Sequence, residues 1–72
     1  MQAMRLRTIF SRNLRAARQV AGLSQEKLAE EAGLDRSYIS SLENERYSAS
    51  LDAIEKIATV LKVEPQSLLE RR

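Results

Sequence analysis

Hydrogen-bonding side chains are concentrated in one short stretch of the chain. Residues 36 to 41 include Arg36, Ser37, Tyr38, Ser40 and Ser41. A guanidinium presents donors in a rigid fork, and hydroxyl groups both donate and accept, so this set is suited to recognising a polar partner. No general acid or base accompanies these residues, so the stretch favours binding over catalysis.

The residue types that the chain lacks exclude several kinds of catalytic and metal-binding site. The chain has no cysteine and no histidine, which excludes disulfides, zinc fingers, thiol nucleophiles and imidazole bases. The neighbouring carboxylates Glu30 and Glu31 would face different directions on a helix and form no acid–base pair. We therefore expect no enzyme activity, no metal site and no cofactor.

The polar stretch lies in the second of two short predicted helices joined by a tight turn. Ser24 is placed as an N-cap, and Leu28, Ala29 and Ala32 supply the buried stripe of the helix that follows. Gly33 stops that helix, and Leu34 is the apolar residue of the turn. Asp35 then caps the next helix, which Ile39 and Leu42 anchor to the core. The intervening side chains must face outward.

Three further helices are predicted around this pair. The first runs from near Leu6–Thr8 to near Ala21, followed by Gly22 in the left-handed cap position. Its apolar face comprises Ile9, Leu14, Ala17 and Ala21, joined by Phe10. After a loop at 45–49, Ser50 caps a helix over 51–61 with Leu51, Ile54, Ile57, Ala58 and Leu61 inward. Pro65 opens a short fifth helix through Leu69.

The fold class expected from these elements is all-α, a compact five-helix bundle forming one domain over residues 1–72. Residues 1–7 are interpreted as a flexible arm. With 43% hydrophobic but only 4% aromatic residues, the core must be aliphatic. No stretch approaches the roughly 20 apolar residues of a membrane span, so we expect a cytoplasmic protein without a membrane partner.

Charge is unevenly distributed along the chain. The net charge is only +2, yet Arg5, Arg7, Arg12, Arg15 and Arg18 all precede the first acidic residue, Glu26. This asymmetry either creates one electropositive surface or is simply solvated helix surface.

Residues 24–44 form a helix-turn-helix, and from Leu14 to Leu69 the chain resembles the Cro/phage-repressor class of bacterial regulators, also called the xenobiotic-response-element family. The segment from Leu34 to Ser40 looks most like the controller proteins of restriction-modification systems. The resemblance implies a phage-repressor-like fold and a homodimer that binds a two-fold symmetric double-stranded DNA operator to regulate transcription. No small-molecule ligand is implied.

The resemblance also implies roles for individual residues. Base contacts are expected from Arg36, Ser37, Tyr38, Ser40 and Ser41, since the second motif helix enters the major groove. Phosphate contacts are expected from Gln25, Arg46, Tyr47 and Ser48. Two assignments have alternatives: Arg36 would otherwise pair with Asp35 or Glu45, and Tyr38 would pack on Leu34 or an arginine stem.

Two other groups are expected to be structural. The family commonly pairs the arginine at the position of Arg18 with the glutamate at the position of Glu43, which would set the angle of the recognition helix. Region 62–72 is interpreted as the dimerisation region, with Leu61, Val63, Leu68 and Leu69 either contacting the second copy or closing the monomer core. Glu45 and Ala49 stand where the family usually has Gly and Pro.

A second function class is a protein-interaction module, such as an antitoxin or a polymerase-binding factor. In the first class too, RNA polymerase is a candidate partner, since a regulator bound beside a promoter can touch it. The salt dependence of the binding affinity distinguishes a DNA-binding regulator from a protein-interaction module, because DNA binding weakens steeply as the salt concentration rises.

Overall fold

The computed structural model describes residues 5–71, and residues 1–4 and 72 lie outside it. The described chain forms four α-helices: α1 (Leu6–Val20), α2 (Gln25–Ala32), α3 (Arg36–Glu43) and α4 (Leu51–Leu61). A 3₁₀ helix over Pro65–Leu69 follows. The all-α class is confirmed for residues 5–71.

Most helix ends lie where the sequence places them. The Ser24 hydroxyl accepts a hydrogen bond from the Lys27 amide at 2.9 Å, and the Ser50 hydroxyl accepts one from the Ala53 amide at 3.0 Å. Gly33 ends α2 in the left-handed region at φ 70°. These signals are confirmed because each satisfies helix-end groups that have no partner within the helix.

Apolar side chains from all five elements meet in one core. Its largest fully buried members are Leu14, Leu28, Ile39, Leu42, Ile57 and Leu68. Since α3 contributes Ile39 and Leu42 to this cluster, one side of the helix is packed and the other is left to solvent.

The fifth helix is 3₁₀ rather than α. Buried Asn13 of α1 holds it in place, because its side-chain amide donates to the carbonyls of Leu68 at 3.0 Å and Glu70 at 2.8 Å. A five-residue segment leaves room for few i→i−4 bonds, and here a carbonyl at its end is bound by a side chain instead.

Several sequence predictions are wrong at helix ends. Ala21 lies beyond α1 and is exposed rather than part of the apolar face. Leu51, predicted to face inward, is 83% exposed because it is the first residue of α4, where no neighbouring element covers it. Asp35 occupies the N-cap position of α3, but its side chain accepts no capping bond. Leu6 and Arg7, assigned to the flexible arm 1–7 from sequence, belong to α1 instead, and residues 1–4 of that arm lie outside the described residues.

The structure distinguishes the two roles weighed for the predicted dimer contacts. Leu61 and Leu68 are buried in the core of the chain itself, so they are unsuited to contact a second copy. Apolar periodicity shows that a side chain is buried but not which chain buries it. Val63 and Leu69 are only half-buried and stay candidates.

No helix within residues 5–71 has both the length and the apolar character needed to cross a membrane.

Candidate nucleic-acid interface

The outward side of α3 carries the predicted reading residues. Arg36 and Ser37, at its N-terminal end, are exposed, whereas Tyr38, Ser40 and Ser41 are half-buried. Ile39 and Leu42 on the opposite side are fully buried. Helical geometry therefore separates a packed side from a polar side that a flat or grooved partner can reach.

A buried carboxylate fixes the C-terminal end of α3. The Glu43 side chain is fully buried, and its two oxygens accept from Arg18 Nε at 2.6 Å and Arg18 Nη2 at 3.1 Å. Arg15 Nε donates to the same carboxylate at 3.3 Å, and Gln25 Nε2 donates at 3.1 Å. Residues of α1, α2 and α3 thus meet at one charge, which ties the three helices together.

The protonation of this carboxylate follows from its partners. Burial alone raises the pKa of Glu43, but hydrogen bonds from Arg18 and Gln25, the positive charge of Arg18 and the bond from Arg15 outweigh that effect. The pKa of Glu43 is therefore lowered below its ordinary value, and the group stays ionised at neutral pH.

Gln25 connects this buried charge to the surface. Because a carboxylate only accepts, the Gln25 amide must present its NH₂ to Glu43 and its oxygen outward. Arg36 Nη1 donates to that oxygen at 3.4 Å. The Arg36 guanidinium thus has a neutral amide as its partner rather than the carboxylates of Asp35 or Glu45 considered from sequence.

Tyr38 takes part in packing and in a hydrogen bond to the following loop. Its ring packs against the edge of the core, while its hydroxyl oxygen accepts from the Ser50 amide at 3.4 Å. The hydroxyl proton stays available to an acceptor outside the chain.

The C-terminal end of α3 is capped by a loop that has no glycine. Glu45 adopts φ 63°, its amide donates to the Leu42 carbonyl at 3.3 Å, and the Arg46 amide donates to the Ser41 carbonyl at 2.9 Å. This is the Schellman pattern, which normally places Gly where Glu45 stands. Thr8 donates to the Glu45 carboxylate at 2.5 Å, which helps to hold this conformation.

The same loop carries three predicted phosphate contacts. Arg46, Tyr47 and Ser48 are all exposed. Arg7 of α1 donates to the Ser48 hydroxyl at 3.0 Å and to the Glu45 carbonyl at 3.4 Å. The loop is therefore braced by α1, and the Ser48 hydroxyl proton is left to donate to another group.

Three residues with structural roles were missed by sequence reasoning. Arg15 was interpreted only as part of the basic run, Arg7 only as part of that run and of the arm, and Asn13 was given no role. A polar residue inside the apolar face of α1 was the available signal for Asn13, since buried amides are normally hydrogen-bonded. Arg7 and Arg15 have no such signal, because long exposed side chains can reach several partners.

A helix-turn-helix family model matches residues 14–68. A Neisseria hypothetical transcription factor from Neisseria meningitidis serogroup B is 44% identical over 64 residues, covering 89% of this chain and 60% of that relative. The chain thus spans less than two thirds of that relative's length.

Solved structures show the same similarity. The restriction-modification controller protein C.AhdI from Aeromonas hydrophila superposes with TM-score 0.83 at 45% identity, over 86% of this chain and 94% of that one. SinR, the master regulator for biofilm formation, solved in complex with DNA, superposes with TM-score 0.81 at 34% identity, over 85% of this chain and 98% of that one.

The fold is that of a helix-turn-helix domain, and the relatives it matches include proteins described as transcription factors and regulators. More specifically, the chain belongs to the helix-turn-helix family, with restriction-modification controller proteins among its relatives.

Proposed function

We propose that this protein is a homodimeric regulator that reads a two-fold symmetric DNA operator with α3 in the major groove. The observation that carries the proposal is the separation of α3 into a packed side, held by Glu43, and an outward side of hydrogen-bonding residues. The SinR relative solved with DNA supports this use of the scaffold.

The residues proposed to contact bases fall into two groups, one guanidinium and four hydroxyl-bearing side chains. Arg36 lies at the N-terminal end of α3, which enters the groove in this motif, and can donate two bonds to guanine O6 and N7. Ser37, Tyr38, Ser40 and Ser41 add hydroxyl contacts of low selectivity. With few long side chains here, part of the specificity comes from DNA shape.

Phosphate contacts flank this surface on both sides. Gln25 lies at the start of α2 and retains one N–H after bonding Glu43, while Arg46, Tyr47 and Ser48 lie beyond the end of α3. These groups orient the protein on the duplex without reading bases.

The regulatory context is proposed from the relatives. A controller-type role, in which the protein acts on a promoter near a restriction gene, is supported by the similarity to the restriction-modification controller protein C.AhdI. Bound beside a promoter, the protein would also be placed to contact RNA polymerase.

Selection from random DNA tests the proposal. Purified protein is mixed with a random-sequence duplex pool, and the bound fraction is sequenced. A two-fold symmetric motif is expected, with half-site centres one DNA turn, about 34–36 Å, apart. No enriched motif at moderate salt would refute operator reading and favour the protein-interaction module.

Two arginine variants then test the division of roles. Arg36→Ala should lose discrimination at one base pair, by about 1–3 kcal/mol, whereas Arg46→Ala should weaken all DNA alike and reduce the salt slope by about one. Glu26→Ala, an exposed change near the start of α2, is the control. The reverse pattern would overturn the assignment.

A further inference from the structure

Two residues other than glycine adopt the left-handed backbone conformation within residues 5–71. Glu45 lies in the loop after α3 at φ 63°, and Lys62 ends α4 at φ 59°. This conformation destabilises any residue that has a side chain, because its Cβ comes too close to the following carbonyl oxygen. Glycine would adopt it without that cost. A side chain at either position therefore lowers stability unless its contacts compensate.

The contacts of the two residues differ. The Lys62 side chain forms no hydrogen bond or ion pair within residues 5–71. Glu45, in contrast, is attached to α1 twice, because the Thr8 hydroxyl donates to its carboxylate at 2.5 Å and Arg7 Nη1 donates to its carbonyl at 3.4 Å. Arg7 Nε also donates to the Ser48 hydroxyl at 3.0 Å. Both ends of the segment 45–48 are thus attached to the first turn of α1.

These attachments enclose the residues proposed to contact phosphates. Arg46, Tyr47 and Ser48 are all exposed, so no apolar packing fixes them. Exposed loops are generally more mobile than the helices they connect, and ordering loops and side chains on binding lowers affinity. A loop that is already held in one conformation avoids much of that loss.

We propose that the first turn of α1 positions the loop after α3 for contact with the DNA backbone, and that Glu45 is the residue through which it acts. Glycine at this position would favour the backbone conformation but would lose the bond from Thr8. Glu45 therefore lowers the stability of the domain and orders the loop before DNA arrives. The inference rests on the proposed function, because it requires Arg46 and its neighbours to contact phosphates.

Binding to a random-sequence duplex at fixed salt and thermal unfolding, both measured on the full chain, test the proposal. Glu45→Gly should raise the dissociation constant about three- to tenfold, since the Arg46 side chain must then be ordered on binding. Its melting temperature should equal that of the wild type or rise by up to about 8 °C. Glu45→Gln keeps an acceptor for Thr8 and should bind at least as tightly as the wild type. Lys62→Gly relieves the same backbone conformation without losing a side-chain contact, so its dissociation constant should stay within about twofold.

A second pair of variants removes the hydroxyl that holds Glu45. Thr8→Val should also raise the dissociation constant about three- to tenfold. Thr59→Val is the matched control, since that exposed hydroxyl donates only to the Glu55 carbonyl of its own helix. In an Arg46→Ala background, Thr8→Val should weaken binding by less than about twofold, because the contact that it positions is already gone.

Three results would overturn the positioning role. Unchanged DNA binding by Glu45→Gly would show that the loop needs no attachment. Weaker binding with a lower melting temperature would show that Glu45 supports the fold instead. Additive losses for Thr8→Val and Arg46→Ala would show that Thr8 acts independently of the loop.

A measurement without DNA separates this inference from the proposed function. Backbone NMR order parameters at residues 46–48 should fall in Thr8→Val and stay unchanged in Thr59→Val. A wild-type protein that binds no duplex would refute the proposed function, whatever the order parameters show. Unchanged order parameters in Thr8→Val would refute the attachment of the loop, even if the wild type binds DNA.

Discussion

Replacing Arg18 by Met tests whether the buried Glu43 carboxylate holds the domain together. Arg18 donates two hydrogen bonds to that carboxylate, at 2.6 and 3.1 Å, and a third to the Leu23 carbonyl at 2.8 Å. Methionine keeps the apolar stem but leaves Glu43 without its main counter-charge. Breaking one half of a buried ion pair costs about 3–5 kcal/mol.

The expected loss lies at the low end of that range. Arg15 and Gln25 still donate to Glu43, but the Arg15 side chain is half exposed and weaker as a partner. A loss of about 3 kcal/mol is a large part of the stability of a small domain, which is about 5–15 kcal/mol. It should lower the melting temperature by about 12–24 °C.

Urea unfolding followed by circular dichroism measures this loss, with Arg12→Met as the control. Arg12 is an exposed residue of the same helix, so its replacement should change stability by no more than about 0.5 kcal/mol. The double variant Arg18→Met with Glu43→Leu removes both charges and should recover about 2–3 kcal/mol of the summed single losses. A cost below about 1 kcal/mol for Arg18→Met, or strict additivity in the double variant, would refute the reasoning.

Three other predictions concern stability. Lys62 ends α4 in the left-handed region at φ 59°, so Lys62→Gly should stabilise the folded domain by about 1 kcal/mol and raise its melting temperature by about 4–8 °C. A lower melting temperature would contradict this prediction. Asn13→Leu removes the buried donor to the 3₁₀ helix and should lower the free energy of unfolding by about 1–3 kcal/mol. It should also speed hydrogen exchange at the Leu68 amide, and unchanged exchange would contradict the role given to Asn13. Because the pKa of Glu43 is lowered, its contribution is complete above the ordinary value of 4.5 and is lost as pH falls through the folded-state pKa. Urea unfolding at several pH values should show that the free energy of unfolding of Glu43→Gln falls less in acid than that of the wild type. An identical pH profile for the two proteins would show that Glu43 is not the source of the acid sensitivity.

Much of the fold could be predicted because local signals and packing agree. Ser24, Gly33 and Ser50 each satisfy a helix end, and the apolar spacing of the helices matches the observed core. The ion pair between Arg18 and Glu43, expected from the resemblance alone, is present in the structure. The position of α3 relative to the rest of the domain could therefore be predicted from the sequence.

The errors have a common physical origin. Periodicity identifies apolar positions, but it cannot tell that Leu51 lies beyond the last covering element or that Leu68 is covered by its own chain. The contacts of Arg15 and Gln25 with Glu43 depend on long side chains whose reach only the tertiary arrangement decides.

The packed and outward sides of α3 have different tolerance to change. Ile39, Leu42 and Glu43 hold the helix, whereas Arg36 and Ser37 project from it without supporting the core. Substitutions at such exposed positions usually alter stability by less than about 0.5 kcal/mol. Under the proposed function, changes at those two residues would alter operator preference and leave the fold intact. New regulatory circuits that do not interfere with one another would then evolve at little cost in stability.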